Sequence, residues 1–443
     1  MNDNPEKRLI VDQEKCRSLC TCGNDHPAPT AMVLTHQDAY SLLAKDCAKA
    51  YPHESVLLLD DENTHQAAGA KVAELLEKSA VAFERVTLPA DPVATDELSE
   101  EIHATSAGHS LIIAVGAGTI NDLGKYVADQ RQIPYWSVPT APSMNGYTSS
   151  IVAIKVKGVK RTLPSRPPQF IYVDPQVIQD SPLNLRQAGF CDVLAKSVSD
   201  FDWQTESLLF NGGYCHLPSA ITHEPEAKYI DHPEGITQGD LHAVTGLFEG
   251  LLFSGVAMSL AGSSAPASGG EHLISHFFDM REAITGKKPN LHGLQVGAGI
   301  VLSAVCYRKL AAVEIKDLKN RSREIFEADA GKIPAIWGHL AGEVGKQFAG
   351  KRDRLLQFDS LLPANWTRLK ALFGGIRQPE YFVDLFRRTG LEMTLASLGM
   401  AEGEFFLAAT TARTIRDRIT VLDLAANAGI LEEAAKETIG MLS

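Results

Sequence analysis

His272 and His276 stand four residues apart in SGGEHLISHFFDMREAITGKKPNLHGLQVGAG, the stretch from Ser268 to Gly299. That spacing puts both imidazoles on one face of a predicted helix. A Lys-rich turn carrying Pro289 follows, and His292 opens the next apolar run. Two neutral imidazoles from adjacent helices plus one carboxylate from elsewhere is the donor set of an open divalent-metal site. The candidate carboxylate is Asp192, an acid among small and apolar residues in QAGFCDVLAK. One carboxylate with two imidazoles suits Zn(II), Ni(II) or Fe(II), zinc first. His276, one turn along from His272, is suited to relay a proton or to hold a substrate hydroxyl.

A second group of soft donors, Cys16, Cys20, Cys22 and His26, lies near the start. Its spacing, Cys-x3-Cys-x-Cys-x3-His, is tighter than the usual structural zinc pattern, and it precedes the first clear strand. A flexible arm with free thiols is the expectation there.

Gly116-Ala117-Gly118-Thr119-Ile120-Asn121-Asp122 lies between an apolar strand and a helix start. Glycines there let the backbone approach a pyrophosphate, and the helix N-terminus supplies N–H groups and a positive dipole. Asn121 occupies the third glycine's place in the dinucleotide pattern, and a plain turn with small residues fits as well. Asp60 and Asp61 end an earlier strand, where an acid either accepts from a ribose hydroxyl or caps a helix. The segment from Thr140 to Ser149, TAPSMNGYTS, is dense in hydroxyl and amide groups and stiffened by Pro139 and Pro142. Such a loop can wrap a phosphate or a nicotinamide ribose.

The elements that must carry these groups alternate. SVLLLDDENTHQAAGAKVAELLEKS reads as strand, turn and helix, FERVTLPA as a strand, and LIIAVGAGTINDLGKYVADQ as strand, glycine turn and helix. IPYWSVPTAPS is a further strand. This rhythm implies a doubly wound parallel sheet with ligands at the strands' carboxyl ends. Residues 151–174 read as a β-hairpin turning at Gly158 followed by a last strand. Beyond Pro182 the pattern turns helical. The expected organisation is an arm over 1–50, an α/β dinucleotide-binding domain over 51–181 and an all-helical metal- and substrate-binding domain over 182–443. Within the polar segment 211–240, His216, His223 and His232 read as loop surface.

A chain of 443 residues with 44% hydrophobic and 22% charged residues suits a globular protein of two domains. A net charge of -12 argues against nucleic acid or an anionic membrane as the main partner. The run near LFEGLLFSGVAMSLAG is interrupted by Glu249 and small residues, so a buried helix is expected and no membrane span. MNDNPEKRLI lacks an apolar core of signal-peptide length, and seven irregularly spaced cysteines fit a reducing setting, so a cytoplasmic location is expected.

Taken in order, LLLDDENT, VGAGTINDLGKY, SVPTAPSMNGYTSS, AGFCDVLAK, GGEHLISHFFD and LHGLQVGAG resemble the sn-glycerol-1-phosphate dehydrogenases, within the superfamily of dehydroquinate synthase, glycerol dehydrogenase and iron-dependent alcohol dehydrogenases. The resemblance covers roughly residues 55–300. It implies that Asp61, Gly116, Gly118, Thr119, Asp122, Thr140, Ser143 and Ser149 line an NAD or NADP site. It implies that Asp192, His272 and His292 bind the metal, and that His276 and Asn145 contact a small phosphorylated three-carbon substrate. The implied reaction interconverts dihydroxyacetone phosphate and sn-glycerol 1-phosphate, in a homodimer or larger assembly. The family usually has an acid where this chain has Asn145. Dehydroquinate synthases generally carry glutamate as the carboxylate ligand, so Asp192 points to net redox chemistry. A glycerol or polyol dehydrogenase, a dehydroquinate synthase-like lyase, or a nucleotide-binding protein of impaired activity are the other readings of the same scaffold.

Overall fold

The computed structural model describes residues 8–9, 11–24, 26 and 32–443. The chain forms two compact units, Met1–Val193 with His216–Ser264, and Leu194–Cys215 with Ala265–Ser443. These groupings differ from the boundary drawn at residue 182, because the helices between 216 and 264 associate with the sheet.

The first unit is built on β1 (Arg8–Leu9), β2 (Met32–Thr35), β3 (Ser55–Asp61), β4 (Ala82–Leu88), β5 (His109–Gly116), β6 (Tyr135–Pro139), the pair β7 (Ile151–Val156) and β8 (Val159–Pro164), and β9 (Phe170–Val173). One sheet has the order β1-β2-β9-β6-β5-β3-β4, parallel except for β1. Alternate residues of its central strands feed two cores. Val56, Leu58, Leu111, Ile113 and Val115 pack with the helices Ala39–Ala50 and Ala70–Lys78. Leu57, Leu59, Ile112 and Ala114 pack with Ile120, Leu123 and Val127 of the helix Gly118–Arg131. Helices therefore cover both faces, as the unbroken apolar runs require. β3 has β4 on one side and β5 on the other, so the winding reverses between β3 and β5. Ligands bind at such a switch point, beyond the carboxyl ends of the strands.

β7 and β8 form the expected hairpin, with Lys157 and Gly158 at φ 50° and 78° in the two-residue turn. Residues 32–50, read from sequence as arm, instead supply β2 and the helix Ala39–Ala50. Ala39, Tyr40, Leu43, Ala44 and Cys47 are the buried stripe of that helix, at helical spacing. The segment 211–240 carries three short helices, His216–His223, Glu226–Ile230 and Glu234–Gln238; its three histidines are exposed as expected, but His216 and His223 are the end residues of a helix and not loop. The helix Leu241–Ala261 is apolar all round and buried: Val244, Phe248 and Leu252 pack on Val33, Tyr147, Ile171 and Val173.

The second unit is helical throughout its described residues. Its centre is the helix His292–Ala312, buried from Gly293 to Tyr307 and flanked by the helices Gly270–Thr285, Pro379–Arg388, Val421–Ala428 and Leu431–Met441. Leu241–Ala261 and His292–Ala312 have the length and hydropathy of membrane spans, but 83% of each apolar window is buried inside the protein, as core helices are.

Candidate functional site

In the second unit, His272 and His276 lie on the helix Gly270–Thr285, and His292 is the first residue of the next long helix. The three rings converge, with centroids 5.1 Å apart for His272 and His292, 5.7 Å for His276 and His292 and 6.0 Å for His272 and His276. Two of them are oriented from behind. His272 Nδ1 lies 2.8 Å from Oε1 of Glu271, a fully buried acid. A carboxylate only accepts, so the proton sits on Nδ1 and the lone pair on Nε2. His292 Nδ1 lies 2.7 Å from Ser275 Oγ, and that hydroxyl donates to Gln295 Oε1 at 2.8 Å. With its single proton committed to Gln295, Ser275 accepts from His292, which again leaves the lone pair on Nε2. Two imidazoles with proton-bearing Nδ1 atoms held by protein acceptors are the arrangement of metal-ligating histidines. The donor set fits a divalent cation.

The start of the Gly270–Thr285 helix has no side-chain cap of its own. Asp202 substitutes: its Oδ2 accepts from Gly270 N at 2.7 Å and its Oδ1 from Val421 N at 2.6 Å. One buried carboxylate thus ties two helix N-termini, where negative charge is favoured. Burial, and then the neighbouring Glu271, push the Asp202 carboxyl up to about 8.

In the first unit, Asp192 is buried in the last turn of the helix Leu183–Leu194, and its Oδ2 accepts the Asn145 backbone N–H at 2.8 Å. The Asn145 side-chain nitrogen Nδ2 is buried and has no hydrogen-bond partner among the described residues. The loop around Asn145 is clamped on two sides. A Cβ on Gly189 would run into the Pro142 carbonyl oxygen. One on Gly255, in the Leu241–Ala261 helix, would meet the Thr148 hydroxyl and lie 2.7 Å from the Asn145 carbonyl oxygen. Only glycine admits backbone that close. Tyr147 donates to Ala141 O at 2.7 Å and Thr148 to Leu252 O at 2.6 Å, which fixes the loop from within.

The eight residues assigned to a dinucleotide lie beyond three adjacent strands of the sheet. Asp61 ends β3, Gly116 ends β5, Gly118, Thr119 and Asp122 occupy the first turns of the following helix, and Thr140, Ser143 and Ser149 lie in the loop after β6. Their side chains are not equally available. Asp61 caps a short helix by accepting from Thr64 N at 2.8 Å, and its neighbour Asp60 accepts from His65 and Thr87. Ser149 is fully buried, and its one hydroxyl proton has Gly146 O and Ile151 O as acceptors, both at 2.9 Å. Asp122 accepts from Ala153 N at 3.2 Å, and burial raises its carboxyl above the usual range against the pull of Lys125.

Lys125, Glu271, Ser275 and Gln295 were not read from sequence as site residues. Lys125 is wholly buried and its ammonium donates to Gly146 O at 2.7 Å and to Ser149 O and Oγ at 3.1 Å, so it holds the loop as a cationic pin. Burial pushes it down to about 8. Ser275 and Gln295 had a legible signal, since each lies three residues after a histidine of the cluster, on the same helical face.

The family described as iron-containing alcohol dehydrogenase matches residues 35–182. Glycerol dehydrogenase from Schizosaccharomyces pombe superposes with a TM-score of 0.59 at 15% identity, over 93% of this chain and 91% of that one. The parallel sheet followed by a helical half is thus the fold of the metal-dependent alcohol and glycerol dehydrogenases. Sequence goes further. A glycerol-1-phosphate dehydrogenase [NAD(P)+] of Bacillus licheniformis is 33% identical over 352 residues, 77% of this chain and 86% of the relative. One of Bacillus subtilis is 35% identical over 324 residues, 70% of this chain and 81% of the relative. The chain belongs to the glycerol-1-phosphate dehydrogenase family.

Proposed function

We infer that this protein interconverts dihydroxyacetone phosphate and sn-glycerol 1-phosphate, using NAD(H) or NADP(H) and one divalent cation. The observation that carries the metal-dependent reading is the convergence of His272, His276 and His292, with His272 and His292 held in one tautomer by Glu271 and Ser275. The relatives named for the same reaction supply the substrate class. Asp192 is proposed as the carboxylate that joins His272 and His292 at the cation. Once bound, the cation supplies Lewis acidity toward the substrate oxygen and the nicotinamide supplies the redox chemistry.

The chain's own groups have distinct tasks. His272 and His292 present Nε2 lone pairs, and their buried partners keep the rings from turning. His276, beside both rings, takes or returns the alcohol proton. Asn145 offers a buried amide donor to a substrate oxygen, where an ionised acid would offer acceptors only. A phosphate needs a cation or backbone N–H groups; Lys196 is a buried cation, whereas Arg166 pairs with Asp129 and Lys287 with Glu404. That supports Lys196 as the group facing the substrate's anionic end. The acids at Asp60 and Asp61 disfavour a 2′-phosphate and support NAD(H).

The decisive assay compares oxidation of NADH and NADPH with dihydroxyacetone phosphate and with dihydroxyacetone, after reconstitution with zinc, nickel or iron. Metal-dependent turnover that prefers the phosphorylated ketone is expected. Preference for the unphosphorylated ketone would sink the substrate reading, and turnover indifferent to chelation would sink the metal.

A further inference from the structure

A different convergence of donors begins in the N-terminal stretch and uses none of the residues assigned to the candidate site. The helix Gln13–Leu19, capped by Asp12, leads into Cys20-Thr21-Cys22-Gly23-Asn24. Cys20 Sγ and Cys22 Sγ are 3.6 Å apart, and Cys22 Sγ is 3.1 Å from His26 Nε2. The other ring nitrogen, His26 Nδ1, lies 2.9 Å from Leu260 O. A carbonyl oxygen only accepts, so the proton is on Nδ1 and the Nε2 lone pair points at the sulfurs. Asn24 N–H donates to Cys22 Sγ at 3.4 Å. Cys16, part of the spacing seen in the sequence, is turned into the core at 1% exposure. Cys215 takes its place in the group. The backbone N–H of the next residue, His216, donates to Thr21 Oγ1 at 3.3 Å, between the two N-terminal cysteines, and Lys15 pairs with Glu224 at 2.6 Å on the same helix pair.

We propose that Cys20, Cys22, His26 and Cys215 bind one zinc-class cation in a closed, four-coordinate structural site. Three thiolates and an imidazole are a soft set that selects zinc over harder divalent ions. With Zn–S near 2.3 Å and Zn–N near 2.0–2.1 Å, a tetrahedron has S–S edges of about 3.8 Å and S–N edges of about 3.6 Å. The observed separations lie within about half an ångström of those edges. A Cys20–Cys22 disulfide would need the sulfurs at about 2.05 Å, so the pair is unbonded. Four protein ligands leave no position for substrate, which makes the role structural. Binding releases the three thiol protons, and the ion ties Cys20, Cys22 and His26 to the start of the His216–His223 helix and to the carboxyl end of the Leu241–Ala261 helix. The ion would therefore be the clip that holds the N-terminal cysteines and His26 to these helices.

The test is metal content of the full-length protein purified under reducing conditions, read separately for the two sites. The His272→Ala/His292→Ala variant should still carry about one zinc per chain, and its cobalt(II) form should show thiolate-to-metal charge-transfer bands in the near ultraviolet. Cys20→Ser/Cys22→Ser should lose about one equivalent of zinc. His26→Cys should retain it, whereas His26→Ala should bind at least about tenfold more weakly. If the double cysteine variant does not fold, iodoacetamide labelling of the unaltered protein reads the same site: Cys20, Cys22 and Cys215 should resist modification until a chelator is added. Immediate labelling of all three, a Cys20–Cys22 disulfide, or a His272→Ala/His292→Ala protein free of zinc would overturn the proposal. None of these outcomes depends on what the enzyme turns over.

Discussion

The Asn145 backbone N–H donates to the Asp192 carboxylate at 2.8 Å, so the loop after β6 is tied to the last turn of the Leu183–Leu194 helix. One oxygen of the proposed metal-binding acid thereby also positions the residue proposed to meet the substrate. Two substitutions separate these tasks. Asp192→Asn keeps an acceptor for the Asn145 N–H and loses the charge, and Asp192→Ala loses both. Cation affinity should fall at least about 100-fold in each. Only the alanine variant should also lower thermal stability, by about 1–3 kcal/mol for the unsatisfied buried N–H. An Asp192→Asn protein that keeps its full cation content would remove Asp192 from the site.

Ser275 is the relay that fixes His292. With Ser275→Ala, the His292 Nδ1–H and the Gln295 oxygen both lose their partner, and the ring is free to change tautomer. Cation affinity should drop by about 10–100-fold, and activity should return at saturating metal. Competition with a chelator measures the first, and a metal titration of kcat the second. Ser275→Thr, which retains the hydroxyl, should behave nearly as the parent.

Much of this was legible in the sequence because it was written locally. Val56 to Leu59 and Leu111 to Val115 are unbroken apolar runs, and a strand buried on both faces has no other way to appear. Lys157-Gly158 announced a tight turn, and His272 and His276 announced a helical face. What escaped was set by distant partners. β2 has only four residues, and it is a strand because β9 pairs with it. Asp61 has the same sequence context whether it meets a ribose or caps a helix, and in the structure its carboxylate accepts from Thr64. Cys215 has no spacing relationship to Cys20 and Cys22, so the N-terminal thiols read as an arm until the chain folded them against the His216–His223 helix.

Lys125 should make stability rise in alkaline solution. Its folded-state value is pushed down to about 8 from 10.5, so between those limits the unfolded chain holds more protons than the folded one. Stability increases with pH wherever that is so. The charged form therefore costs stability below about pH 8, and the cost is relieved as pH climbs toward 10.5, by on the order of 3 kcal/mol at most. Asp122 is the charged group that faces it and works against the shift. Lys125→Met should abolish the rise when melting temperature is followed from pH 7.5 to 10. It should also weaken dinucleotide binding, because Gly146 and Ser149 lose their common donor. A Lys125→Met protein with the parent's alkaline profile would assign that dependence elsewhere.

Gly189 tests whether the loop after β6 is placed by close packing. A methyl group there meets the Pro142 carbonyl oxygen, which is backbone and cannot rotate aside. Gly189→Ala should destabilise the protein by about 1–3 kcal/mol, as overpacking does, and a protein of this size would then melt several degrees lower. The loop must move away from the Leu183–Leu194 helix, carrying Thr140, Ser143 and Asn145 with it. KM for the dinucleotide and for the ketone should both rise. The histidines and Glu271 lie in the second unit, so their orientation should survive. Gly255→Ala presses on the same loop from the Leu241–Ala261 helix, at Thr148 and the Asn145 carbonyl, and should give the same pattern. The two effects should add to less than their sum in the double variant, since both displace one segment. Full additivity would mean that each glycine acts through a separate contact, and that the loop does not move as one body.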